Sequence, residues 1–273
     1  MDLYVEVDVD NPSSRIVEDW FNGALSTLFS ALTEWESSGS GAVTSIASIC
    51  RADGAETERF TSDRGGWRHL LDELTPIPYS ASLVYFSGEV EIGRVKASQI
   101  SSGTDHVTLS IGLHCGDEAL ASAEYCAWIS ESLRDVMKSM NPGFGRVEYG
   151  SFSNRTNLDI GLRRKHKDSV VEARDVLRGY AWVTLCPSEL AERLGGAGSL
   201  SQSGAFHGVY ELDSGGVLLQ ASETVAGYTD DVMDGVFRTL APVLPPGVPR
   251  KSAAHPANRL VAKDASVASR DSP

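Results

Sequence analysis

Within its first 35 residues the chain switches its hydrophobic period from two to between three and four, which commits it to packing a helix against a sheet. Leu3, Val5, Val7 and Val9 alternate with Tyr4, Glu6, Asp8 and Asp10, and this alternation predicts a half-buried strand with the carboxylates on its solvated face. Asn11-Pro12-Ser13-Ser14 then supplies a turn and an N-cap. Ile16, Val17, Trp20, Phe21, Ala24, Leu25, Leu28, Phe29, Leu32 and Trp35 follow as one broad stripe, predicting a single helix of about five turns.

Further along, residues 42–50 read as a second strand, and Asp53-Gly54 turns it toward a partner through Glu58 and Phe60. Trp67, Leu70, Leu71 and Leu74 mark a short helix, and a hairpin about Gly88 joins residues 82–86 to 90–95. Serine and glycine dominate residues 99–104, which makes a seam there. Beyond it His106 to His114 alternates as a strand, and a helix runs from Leu120 to Met140. Arg146 to Phe152 reads as a strand, residues 168–177 as a short helix, and residues 178–186 as a strand with Tyr180, Trp182, Thr184 and Cys186 on one face. Pro187 and Ser188 open a helix that Gly195-Gly196 stops. Residues 206–212 and 217–220 form a hairpin, and residues 230–240 the last helix. The expected architecture is α+β: two similar halves, residues 1–102 and 103–246, of largely antiparallel sheet packed against long amphipathic helices. From residue 247 onward, Pro, Ala, Ser, Lys and Asp without period predict a flexible tail.

Composition narrows the function classes. A formal net charge of −13, from 37 acidic and 24 basic residues, disfavours nucleic-acid backbones and favours a basic partner. The N-terminus has no basic region followed by an apolar run, and no segment approaches the ~18 apolar residues of a membrane span, so a cytoplasmic protein without membrane contact is expected. The four cysteines, at irregular separations and without a Cys-x-x-Cys pair, read as buried free thiols.

Few residues carry a chemical signal. Glu6, Asp8 and Asp10 project from one strand face about 6.7 Å apart, a spacing open to Mg²⁺ or Ca²⁺ but expected here to be a solvated acidic face available to a partner. His106 and His114 lie about 26 Å apart on one face and cannot share a metal ion. His114, Cys115 and Asp117 cluster at a strand end, the place to look first for catalysis, with Tyr180 and Trp182 next. The basic run at residues 163–167 reads as an exposed loop making ion pairs within the chain. No metal or cofactor motif occurs.

Gly179-Tyr-x-Trp-x-Thr184, residues 190–196, Gly204-Ala-Phe206 and residues 215–220 resemble bacterial proteins of a type VI secretion or polymorphic-toxin immunity family, over residues 100–246. The resemblance implies a cytosolic antitoxin that binds and blocks a cognate effector, with no cofactor and no catalytic residues. The alternative is a small-molecule enzyme of bacterial metabolism with a pocket between the two halves.

Overall fold

The structure is a computed structural model that describes residues 2–38, 43–61, 66–100, 105–150, 153–250 and 259–269. It is α+β, with every strand pairing given below antiparallel, and it divides into two compact units at Cys115/Gly116. The boundary expected at residue 102 therefore moves; residues 101–104 of the expected seam lie outside the described residues. His106–His114 falls in the N-terminal unit because it pairs with strands on both sides there.

In the N-terminal unit the elements follow as β1 (Asp2–Asp10), α1 (Ser14–Ser26), α2 (Ser30–Ser37), β2 (Thr44–Cys50), β3 (Thr57–Thr61), α3 (Gly66–Asp72), β4 (Ser80–Ser87), β5 (Val90–Gln99) and β6 (His106–His114). Their sheet order is β3-β2-β4-β5-β6-β1. The register aligns Val5 with Ile111 and Val95 with Ile111, so one apolar face runs across β1, β6 and β5. Val17, Trp20, Phe21, Ala24 and Leu25 of α1 are buried, as an amphipathic helix on a sheet requires.

The single long helix expected from the stripe is instead two. Thr27 Oγ1 donates to the Gly23 carbonyl at 2.7 Å, Ser26 Oγ donates to the same carbonyl at 3.1 Å, and Phe29 N donates to the Ala24 carbonyl five residues back. Hydroxyls competing for helical carbonyls widen the turn. The break lets Phe29 stack on Tyr85 with ring centroids 5.6 Å apart, directly over Gly93. It also leaves Trp35 at the exposed end of the stripe. A Cβ on Gly93 would overlap the Phe29 ring, so Gly93→Ala is expected to cost about 1–3 kcal/mol by overpacking, read as a lower urea midpoint at unchanged slope.

The C-terminal unit contains α4 (Asp117–Ala121), α5 (Ala123–Met137), β7 (Phe144–Gly150), α6 (Asn157–Leu162), α7 (His166–Val171), β8 (Val183–Cys186), α8 (Ser188–Arg193), α9 (Gly196–Gln202), β9 (Gly208–Glu211), β10 (Val217–Gln220), α10 (Asp230–Leu240) and α11 (Ala265–Ala268). The order is β7-β8-β10-β9. Ser122 separates α4 from α5 by capping the latter, its hydroxyl accepting from Tyr125 N. β8 is shorter than the strand expected over residues 178–186, because Thr184 Oγ1 accepts from Ala181 N and folds the preceding residues out of the ladder.

Arg178 enters a buried polar network instead. Its guanidinium donates to Asp159, to Ser169 Oγ and to the Asn154 carbonyl, while Asp159 also accepts from Ser169 Oγ at 2.6 Å and from Arg164 at 3.3 Å. Arg164, from the basic run, also pairs with Glu172 at 3.0 Å, so that part of the run makes ion pairs within the chain as expected.

The expected flexible tail is corrected for residues 259–269. Leu260, Val261 and Ala265 are buried, Val261 N donates to the Tyr180 hydroxyl at 2.9 Å, and Arg259 and Lys263 pair with Asp230 and Asp234 of α10. A polar average conceals these few apolar anchors. Among the described residues no helix is long and apolar enough to cross a membrane. Cys50, Cys126 and Cys186 are buried free thiols and Cys115 is half-buried. Burial pushes the Cys186 thiol up to about 12, so a thiol reagent is expected to label Cys115 in the native chain and Cys186 only after denaturation; equal labelling rates would contradict that packing.

Candidate functional site: an acidic groove and an aromatic cavity

The residues singled out from the sequence separate in space. Glu6 and Asp8 are 0 % and 1 % exposed, and only Asp10 reaches the half-buried range. Asp8 accepts from Thr108 Oγ1 at 2.8 Å on the neighbouring strand, and Glu6 lies opposite the buried Ser110. The solvated acidic face expected of β1 is thus corrected: Glu6 and Asp8 belong to a buried, hydrogen-bonded layer and cannot meet a partner at the surface. Alternation reveals which residues share a face, not what covers that face.

His114 and Cys115 end the N-terminal unit, whereas Asp117 belongs to the C-terminal one. Within the C-terminal unit Asp117, Tyr180 and Trp182 do line one cavity of about 290 Å³, together with Glu148, Tyr149 and Tyr228. Each wall has an identifiable support. Trp182 Nε1 donates to the Ser222 carbonyl at 2.9 Å, which fixes the indole edge. Burial raises the Tyr180 hydroxyl to about 12, with the bond from Val261 N acting in the opposite direction. Glu148 is held by Arg146 at 2.9 Å and by Asn157, so its charge is met from inside the fold. Arg259 lies over the Tyr228 ring, 5.0 Å from its centroid, and pairs with Asp230 at 3.1 Å.

A second concavity, about 310 Å³, runs along α5 and was not foreseen from the sequence. Ala123 and Ala127, small and one turn apart, form part of its floor, while Glu124 and Glu131 stand on the same helix and Glu223 faces them from the loop after β10. Gln220 donates to the Ser222 and Glu223 carbonyls at 3.1 and 3.2 Å, which sets the path of that loop. Arg134 is stacked on Tyr210 at 5.4 Å. Trp128, on the exposed side of the same helix, is 37 % exposed and lies against Tyr125 with ring centroids 5.4 Å apart. The available signal was the seven-residue spacing of Glu124 and Glu131, which places two carboxylates on one side of a helix.

Among the described residues no group of three or more His, Cys, Asp or Glu side chains is arranged to hold a metal ion. No protein-family model, no curated protein and no solved structure matches this chain.

Proposed function

We propose that the chain is a non-catalytic, cytoplasmic immunity-type protein that binds and neutralises a basic toxin or effector through the α5 groove. The observation that carries this reading is the groove itself: three carboxylates, Glu124, Glu131 and Glu223, around a floor of small residues, beside an exposed tryptophan. Tryptophan and tyrosine anchors within a polar rim are the usual makings of a binding hot spot. The net charge of −13 adds long-range attraction for a basic protein, which raises association rates. The similarity of the two halves is part of the same proposal, resting on the long amphipathic helices and antiparallel strands of both units.

The enzyme alternative rests on the cavity that gathers Asp117, Tyr180 and Trp182. Affinity purification of the tagged protein from its native host separates the readings. A basic protein recovered at one-to-one stoichiometry supports the immunity reading, whereas a co-purifying metabolite turned over by the chain supports the enzyme.

A further inference from the structure

We infer that the cavity between α4, β7 and the Tyr180–Trp182 segment binds a small organic cation, an alkylated ammonium group on a compact apolar body. This site is separate from the α5 groove and independent of the protein-binding reading.

Four of the residues that line the cavity are aromatic: Tyr149, Tyr180, Trp182 and Tyr228. The negative face of such rings attracts cations that carry little hydration, and quaternary ammonium groups are the ligands that aromatic boxes select. The chain already uses one of these rings in that way, since the Arg259 guanidinium lies over Tyr228.

Charge selects the same ligand. Of the two carboxylates in the lining, Glu148 is compensated by Arg146, but Asp117 has only the Tyr149 hydroxyl at 3.4 Å and no cation partner among the described residues. Asp117 is exposed, so its carboxylate is available at the edge of the cavity. Among the described residues the one cation in the lining, Arg259, is already matched by Asp230. The remaining charge is therefore negative, and it disfavours an anionic ligand.

Leu120, Val225 and Ala226 complete the walls without adding charge, and Ala226 N donates to the Leu120 carbonyl at 3.0 Å, tying two of them together. The volume of about 290 Å³ lies at the small end of the range for ligand sites, which suits a compact cation. The Tyr228 hydroxyl is buried without a hydrogen-bond partner among the described residues, so the wall carries a polar group that the protein itself does not satisfy.

The test is titration of the full chain with choline and, in parallel, with 3,3-dimethylbutan-1-ol, its uncharged carbon isostere, following chemical shifts by NMR. Choline is expected to bind saturably and more tightly than the alcohol by about threefold or more. Asp117→Asn, an exposed change in the first turn of α4, is expected to weaken choline about three- to tenfold without affecting the alcohol. Reversing the charges of the α5 groove is expected to leave choline binding unchanged. Equal binding of choline and the alcohol, no saturable choline binding, or unchanged affinity in a folded Asp117→Asn variant would each overturn the inference, and none of these results bears on protein binding at α5.

Discussion

Asp159→Ala is expected to destabilise the C-terminal unit by about 3–5 kcal/mol, among the largest effects of any single substitution in this chain. Asp159 and Arg178 are both fully buried, and they form an ion pair at 3.3 Å. Removing the carboxylate takes a charged partner from the buried Arg178 guanidinium, which also meets Ser169 Oγ, the Asn154 carbonyl and His166 Nδ1. It also removes the capping box in which Asp159 accepts from Thr156 N and Thr156 Oγ1 accepts from Asp159 N. Urea unfolding measures the loss. The double variant Asp159→Ala/Arg178→Met is expected to recover a large part of it, because it removes the buried charge together with its carboxylate partner. If the double variant were as unstable as the sum of its parts, the network would be acting through packing alone.

Raising the pH from 9 to 12 is expected to remove stability on the order of 10 kcal/mol, enough to unfold the protein before pH 12 is reached. Burial pushes Tyr85 and Tyr180 from 10.0 and Cys186 from 9.0 up to about 12 in the folded chain. For Tyr85 the hydrogen bond with Thr33 at 3.1 Å opposes the shift, and for Tyr180 the bond from Val261 N does so. The fold favours the neutral forms, so the stabilisation is intact below the unfolded values and lost as the pH climbs from them toward 12. Each pKa unit is worth about 1.4 kcal/mol, hence on the order of 3 kcal/mol per tyrosine and 4 for the thiol. Urea midpoints taken at intervals from pH 8 upward check the slope, and Tyr85→Phe is expected to flatten it. A midpoint unchanged up to pH 11 would mean that these groups are wetter than their packing indicates.

The elements legible in the sequence are those whose signal is local. β6, β10 and α10 are found at their expected residues, because alternation, a Ser-Gly-Gly turn and the helical spacing of Val232, Met233, Val236, Phe237 and Leu240 state them within a few positions. The break at Thr27 was hidden because the apolar stripe continues across it, whereas the hydroxyl-to-carbonyl bonds that cause it carry no periodic signature. The fate of Glu6 and Asp8 was hidden for another reason. Charged side chains on alternate positions predict solvent, yet serine and threonine on the adjoining strand provide a polar interior that accepts them. The α5 groove needed the loop at Glu223 to come beside Glu124 and Glu131, roughly ninety residues apart in the chain, and no pattern in one sequence reports such a meeting. Tyr180 and Trp182 read from the sequence as part of a strand; their place in a cavity wall follows from residues 178–182 lying outside the ladder that begins at Val183.

The most direct test of the protein-binding claim is the association rate between this protein and the basic protein that co-purifies with it, measured at low and high salt for the native chain and for Glu124→Lys/Glu131→Lys/Glu223→Lys. The native chain is expected to form a one-to-one complex whose association slows as salt rises, and the triple variant to fold normally yet bind at least about tenfold more weakly. A complex of unchanged affinity and unchanged salt dependence in the triple variant would contradict the assignment of the α5 groove as the binding surface.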